Sequence, residues 1–183
     1  MRRFTGRRVA SARPRRLATS AGLLAASVAV LVIGVLAPSA LADRPTHIPP
    51  GQIPDFTLAD SCSFPVLVHV DTNKEVTTIF SDGSAHVTGS LKVTLTNVSN
   101  PSKSIDVNIS GPGTFTPLSN GGTLQKSVGR WLFFFSPNQL GPGAPGVLIL
   151  TTGTATAVLN PDGTLSSFTH TNGTTTDLCA TLS

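Results

Sequence analysis

The chain has 183 residues, of which only 12% are charged, and a formal net charge of +4. Seven of its thirteen Lys and Arg residues lie before residue 17, so residues 43–183 carry six cations and nine anions, a net charge of −3. The six remaining cations are scattered singly, whereas nucleic-acid binding depends on clustered Lys and Arg that neutralise phosphates. This distribution excludes nucleic acid as an expected partner, and the length is typical of a single domain.

The first 42 residues have the three parts of a secretory signal peptide. An arginine-rich segment at residues 2–16 precedes the apolar run LLAASVAVLVIGVL at residues 23–36, and Ala40 and Ala42 occupy the positions that a signal peptidase recognises. We therefore predict cleavage after Ala42 and a secreted, extracellular protein whose contact with the membrane is limited to the leader. The alternative is anchoring by an uncleaved leader, because residues 17–42 carry no charge and are just long enough to span a bilayer.

The segment that follows, residues 43–55 (DRPTHIPPGQIPD), contains four prolines. Proline-rich segments of this kind adopt extended conformations and act as spacers. We predict a flexible tether at residues 43–55 and a single β domain at residues 56–183.

The composition of the exported part predicts an all-β fold. The chain contains one glutamate, Glu75, and no methionine after the first residue, while Thr, Val and Ile make up 39 of residues 43–183. Apolar and polar residues alternate in residues 64–71, 91–96 and 105–110, as in strands with one face buried. The predicted strands lie near residues 64–71, 74–80, 84–98, 103–116, 122–136, 146–160, 163–171 and 174–181.

Short turns rich in Gly, Asn and Asp separate these strands, which predicts an antiparallel meander of sequential neighbours. Several strands are longer than usual and contain glycines that can act as kinks: Gly89, Gly111, Gly113, Gly129 and Gly153. Because long, bent strands close readily, we expect a small β-barrel, with a β-sandwich as the alternative.

The two cysteines, Cys62 and Cys179, both belong to the exported part. In an oxidising compartment such a pair is expected to form a disulfide, which would join the start of the domain to its end. The chain has no CxxC motif and no His at a ligand spacing, so we predict neither a metal site nor a cofactor.

The densest apolar stretch after the leader is WLFFF at residues 131–135. The simplest interpretation is a strand covered on both faces. The functional hypothesis is that one alternate set, Trp131, Phe133 and Phe135 or else Leu132 and Phe134, lines a cavity for a small apolar ligand or forms an exposed contact patch. Arg130 would then hold an anionic head group, so the candidate binding residues are Arg130, Trp131, Phe133 and Phe135.

The histidines give little support for catalysis. His69 and Asp71 share one strand face and form the acid–base pair with the most suitable spacing, but such pairs usually lie unused on a surface. His47 belongs to the predicted tether, and the alternation around His86 directs its side chain away from the core. We therefore predict no catalytic residue.

Three segments resemble a family of small secreted actinobacterial proteins of unknown function. They are CSFPVLV at residues 62–68, VTGSLKVTLTN at residues 87–97 and TTTDLCA at residues 174–180. The resemblance spans about residues 56–182. It implies export and a pair of bonded terminal cysteines, and it identifies no catalytic residue.

Three functions are compatible with these observations. The first is a non-enzymatic extracellular domain that binds a small apolar or amphipathic molecule or contacts the cell envelope. The second is a small barrel isomerase or cyclase, similar to the allene-oxide-cyclase-like and dirigent-like barrels, in which His69, Asp71 or Arg130 would meet inside a cavity. The third is a structural or adhesive surface protein. Nothing in the sequence sets the oligomeric state.

Overall fold

The computed structural model describes residues 44–183, so the predicted signal peptide, its cleavage positions Ala40 and Ala42, and Asp43 lie outside the described residues. These residues form fourteen strands and one helix. The strands are β1 (Thr46–Ile48), β2 (Phe56–Leu58), β3 (Val66–Asn73), β4 (Val76–Ile79), β5 (Ala85–Thr88), β6 (Leu91–Asn97), β7 (Ser104–Asn108), β8 (Gly113–Pro117), β9 (Thr123–Val128), β10 (Trp131–Phe135), β11 (Val147–Thr151), β12 (Thr154–Leu159), β13 (Leu165–Thr171) and β14 (Thr175–Asp177). The helix, α1 (Leu178–Thr181), has four residues, and no helix among the described residues has the length that crossing a bilayer requires.

The strands form a meander in which most long strands change sheet at a kink. A seven-stranded antiparallel sheet has the order β1-β4-β5-β8-β9-β12-β13. The remaining strands form a four-stranded sheet, β2-β3-β6-β7, and a three-stranded sheet, β10-β11-β14. Four predicted long strands thus begin in one sheet and end in another, as the pairs β5/β6, β7/β8, β9/β10 and β11/β12. The pairs β3/β4 and β13/β14 change sheet in the same way, although the sequence predicted each pair as two separate neighbouring strands. The prediction of an antiparallel all-β meander is confirmed.

The prediction of a closed barrel is wrong for the described residues. The strands separate at their kinks. β8 and β9 pair in the seven-stranded sheet, but β7, which precedes β8, belongs to the four-stranded sheet, and β10, which follows β9, belongs to the three-stranded sheet. The two edges of the seven-stranded sheet, β1 and β13, do not pair with each other. The arrangement is consistent with the alternative, a β-sandwich, because the separated halves stack on one another instead of closing a ring.

Glycines at the kinks allow this separation. Gly129, between β9 and β10, and Gly153, between β11 and β12, have φ angles of +83° and +84°. Side chains rarely tolerate this left-handed region. The amide of Gly129 donates a hydrogen bond of 2.7 Å to the carbonyl of Gly153, which ties the two kinks together.

Strands β10 and β11 of the three-stranded sheet are covered on both faces. Leu132 and Phe134 of β10 pack, with Leu148 and Leu150 of β11, into the core of the four-stranded sheet around Leu95. The alternate side chains face the seven-stranded sheet, where they form a second core with the members Phe133, Phe135, Ile149 and Ala155. The stretch at residues 131–135 is therefore a strand covered on both faces, the simplest of the interpretations that its sequence allowed.

The disulfide joins the two ends of the domain. Cys62 and Cys179 are bonded, with their Cα atoms 5.5 Å apart and a sequence separation of 117. The bond attaches α1 to the chain before β3, and Leu178 and Leu182 are buried in the core of the four-stranded sheet. The predicted Cys62–Cys179 disulfide is confirmed.

The proline-rich segment at residues 44–55 contributes to the sheets. Its residues 46–48 form β1, which pairs with β4 so that His47 lies opposite Thr78. Further along, Nδ2 of the Asn73 side chain donates a hydrogen bond of 2.9 Å to the carbonyl of Gly51. The extended tether predicted from the prolines thus carries a short edge strand, since proline is compatible with the flanks of an edge.

Candidate functional site

The outer face of the seven-stranded sheet is rich in threonine. The register of its strands places side chains alternately toward the second core and toward solvent. We call the outward set the threonine face; its threonines are Thr78, Thr88, Thr114, Thr116, Thr154, Thr156, Thr169 and Thr171. Neighbouring strands of a sheet lie about 4.8 Å apart, so these hydroxyls form rows of regular spacing.

One row crosses six strands. Residues that lie directly opposite each other in neighbouring strands make up this row, in the order Thr78, His86, Thr114, Lys126, Thr156 and Thr169. His47 on β1 extends the row, because its Nδ1 lies 3.0 Å from Oγ1 of Thr78. The outward orientation predicted for His86 is confirmed.

The hydroxyls of this face are available to a ligand. Among the described residues, Thr78 is the only one of its eight threonines whose hydroxyl has a hydrogen-bond partner within the protein. The others lie on an open sheet surface where their donors and acceptors face solvent. Such a surface exchanges water for another hydroxyl-rich partner at little cost.

The charge on the threonine face differs from that of the rest of the domain. None of the seven strands of this sheet contains Asp or Glu, and Lys126 is their one permanently charged residue. The acidic residues lie in turns or on the other sheets. The face therefore offers hydroxyls, imidazoles and one ammonium group, without carboxylates that would repel an anion. Aliphatic side chains lie among them at Val76, Leu124, Val128 and Val158.

The outer face of the four-stranded sheet carries the predicted acid–base pair. Nδ1 of His69 lies 2.8 Å from Oδ1 of Asp55, and its Nε2 lies 3.8 Å from Oδ1 of Asp71. The hydroxyl of Thr94 lies within 3.1 Å of the carboxylates of both Asp71 and Asp106. A single hydroxyl proton can serve only one of these acceptors at a time.

This acidic cluster lies on an open surface. The side chains of His69 and Asp71 are 54% and 38% exposed. Within residues 44–183, no three His, Cys, Asp or Glu side chains are arranged to hold a metal ion. The position of the pair on a solvated face gives no support to the isomerase or cyclase hypothesis, which requires it to lie inside a cavity.

The four candidate binding residues are not gathered around a pocket. Phe133 and Phe135 are 7% and 5% exposed. Their rings pack edge-on against Phe168, with centroid distances of 4.9 and 5.0 Å. Trp131 donates through Nε1 to the carbonyl of Pro112 at 3.2 Å. The exposed Arg130 donates through Nε to the carbonyl of Asn108 at 2.8 Å. The aromatic rings fill the space between two sheets, and Arg130 braces neighbouring segments of chain.

A depression of about 270 Å³ lies beside β13. The loop at residues 138–141 forms one wall, and the other is formed by residues 165–168, which include Leu165 and Phe168. Leu140 is 42% exposed at its rim. The loop is held by Asn138, whose φ is 69° and whose Oδ1 accepts a hydrogen bond of 2.8 Å from the amide of Gly143.

Among residues 44–183, three carboxyl groups have shifted pKa values, and none of them belongs to the threonine face. Burial raises the pKa of Glu75 above its usual value. Hydrogen bonds from Ser84 and Thr164 lower the pKa values of Asp82 and Asp162, respectively. The two aspartates occupy equivalent turns, β4–β5 and β12–β13, in which a glycine follows with φ of +80°. The two lowered pKa values therefore result from turn geometry, and the raised value results from partial burial.

Comparison of this chain with known proteins found no matching family model, no similar curated protein and no similar solved structure. The resemblance to secreted actinobacterial proteins accordingly stays a prediction. The threonine face was not recognised from the sequence, although Gly113–Pro117 and Thr154–Leu159 show threonine at alternate positions. That alternation was the available signal.

Proposed function

We propose that this protein is an exported, non-enzymatic domain that contacts a polysaccharide of the cell envelope through the threonine face. The observation that carries the proposal is the combination of eight outward threonines with the absence of acidic residues from the seven strands beneath them. The disulfide supports export, because such bonds persist in oxidising compartments.

A polysaccharide suits this surface in chemistry and shape. Sugar hydroxyls both donate and accept hydrogen bonds, as threonine hydroxyls do. Each such bond contributes only about 0.5–1.5 kcal/mol, so useful affinity requires many contacts in a repeating pattern. An extended polymer lying along the rows of the sheet provides this repetition. Lys126 would add attraction to a polymer that carries carboxylate or phosphate groups.

The packing of the interior favours this surface over an internal ligand site. A small apolar ligand between the sheets would require the space that Phe133, Phe135 and Phe168 occupy. The depression beside β13 is shallow and lined on one side by a polar loop. Of the two versions of the first hypothesis, we therefore propose contact with the cell envelope and not binding of a small apolar ligand.

Co-sedimentation with insoluble peptidoglycan, and with chitin for comparison, tests the proposal. The protein beginning at Asp43 is compared with the double variant Thr114→Val and Thr156→Val, which removes two hydroxyls from the central row at nearly constant volume. We expect the double variant to bind with a roughly tenfold weaker affinity than the unmodified protein, because it loses two hydrogen bonds.

The matched control is Thr57→Val with Thr96→Val, which removes two outward hydroxyls from the four-stranded sheet. This variant should bind as the unmodified protein does. Failure of the unmodified protein to bind either polymer would argue against the proposal. Equal weakening by both double variants would argue against the threonine face as the contact surface.

A further inference from the structure

The strand β13 is the longest edge strand of the described sheets, and the loop at residues 138–141 faces only its residues 165–168. It has seven residues, pairs with β12 on one side and has no strand on its other side among the described residues. Its sequence, LSSFTHT, contains no proline and no permanently charged residue. An edge of this kind presents unpaired backbone donors and acceptors, which act as a template for another strand.

The other edges of the described sheets are blocked or short. β1 has three residues and lies between Pro45 and Pro49, and β2 and β14 also have three residues each. β7 carries Asp106, whose charge opposes pairing. At the start of β10, the amide of Gly111 donates to the carbonyl of Arg130 at 3.0 Å, so a neighbouring segment of chain obstructs that edge. The contrast singles out β13.

We propose that β13 pairs with β13 of a second copy of this chain, antiparallel and across a twofold axis. A twofold contact is self-complementary, because each copy offers the same strand to the other. The outward side chains Ser167, Thr169 and Thr171 are small, uncharged and exposed, so no like charges meet across the junction. The half-buried Leu165 and the exposed Leu140 lie along the same edge and gain cover from the second copy.

Pairing of this kind joins two seven-stranded sheets into one. The two threonine faces then form a continuous surface, which would hold a repeating polymer at two places and strengthen binding by multivalency. This consequence rests on the proposed function, whereas the pairing itself does not.

Sedimentation velocity and hydrogen exchange test the pairing on the disulfide-bonded protein beginning at Asp43. We expect the sedimentation coefficient to rise from that of a monomer to that of a dimer between about 1 μM and about 1 mM, the range expected for a small interface. Over the same range, amide exchange should slow within residues 165–171. A monomer throughout, or slowing confined to other residues, would overturn the proposal.

Two charged variants test whether β13 is the strand that joins the two copies. Ser167→Lys with Thr169→Lys places like charges opposite each other across the proposed junction and should remove the dimer. Thr154→Lys with Val158→Lys adds the same charges on β12, one strand inside the edge, and should leave the dimer unchanged. A dimer that survives the edge variant overturns the proposal. If both variants are monomeric, amide exchange in the unmodified protein decides: slowing within residues 165–171 supports the pairing, and slowing confined to other residues overturns it.

Separate measurements distinguish failure of the β13 pairing from failure of the proposed function. Polymer binding measured at about 1 μM, where a small interface is dissociated, reports on the threonine face alone. An unmodified protein that binds polymer but stays monomeric contradicts the pairing and not the proposed function. An unmodified protein that dimerises but binds no polymer contradicts the function and not the pairing.

Discussion

The substitution Gly153→Ala tests whether the kink between β11 and β12 requires a residue without a side chain. Gly153 has a φ of +84°, and a Cβ on it would lie 2.6 Å from the carbonyl carbon of Asn172 and 2.8 Å from Cα of Gly173. The substitution therefore combines two costs. The left-handed conformation costs an alanine about 1–2 kcal/mol, and the overlap with a neighbouring backbone adds about 1–3 kcal/mol.

Gly163→Ala is the matched control, because it isolates the first of these costs. Gly163 has a φ of +80°, but a Cβ on it would meet nothing within 4 Å. We expect the free energy of unfolding to fall by about 1–2 kcal/mol in Gly163→Ala and by about 2–5 kcal/mol in Gly153→Ala. For a domain of this size each kcal/mol lowers Tm by about 3–4 °C.

Urea unfolding followed by tryptophan fluorescence measures both values, since Trp131 lies in the adjacent core. Equal losses in the two variants would refute the argument that backbone overlap makes the Gly153 kink specific for glycine. A Gly153→Ala variant as stable as the unmodified protein would refute the role of the kink altogether.

Three further predictions concern the disulfide, a partly buried acid and an aspartate in a turn. Reduction of Cys62–Cys179, or the variant Cys62→Ser, should lower Tm markedly, because closing a loop of about 100 residues contributes up to about 4.7 kcal/mol; equal Tm values with and without reductant would contradict this. Glu75→Gln should raise Tm at neutral pH, because burial raises the pKa of Glu75 in the folded state, so the stability associated with its protonated form is lost as the pH rises. The difference should shrink below pH 4.5, the unperturbed value, and a gain that is the same at both pH values would count against this cause. Asp82→Asn should have the opposite effect and lower Tm at neutral pH. Hydrogen bonds from Ser84 lower the pKa of Asp82, so the stability that its carboxylate contributes is present at neutral pH and lost in acid.

Local chemistry in the sequence determined most of the strands and the disulfide, but it missed β1 and β2 and placed β3 beside β4 and β13 beside β14. Alternation in residues 91–96 identified which side chains of β6 are buried, because side chains of a strand point to opposite faces in turn. Turns such as the one around Gly83 required sequential antiparallel neighbours, so the meander followed. The glycines at 89, 129 and 153 were recognisable as kinks, because each interrupts a long alternating run.

Only the tertiary structure decided where each kinked half goes. A period of two shows which side chains share a face, but it does not show which sheet covers that face. Whether β7 and β10 stay together or separate depends on packing between residues far apart in sequence, such as Phe133 against Phe168. For the same reason, the neighbours of His69, the strand within the proline-rich segment and the threonine face emerged only from the pairing of distant strands.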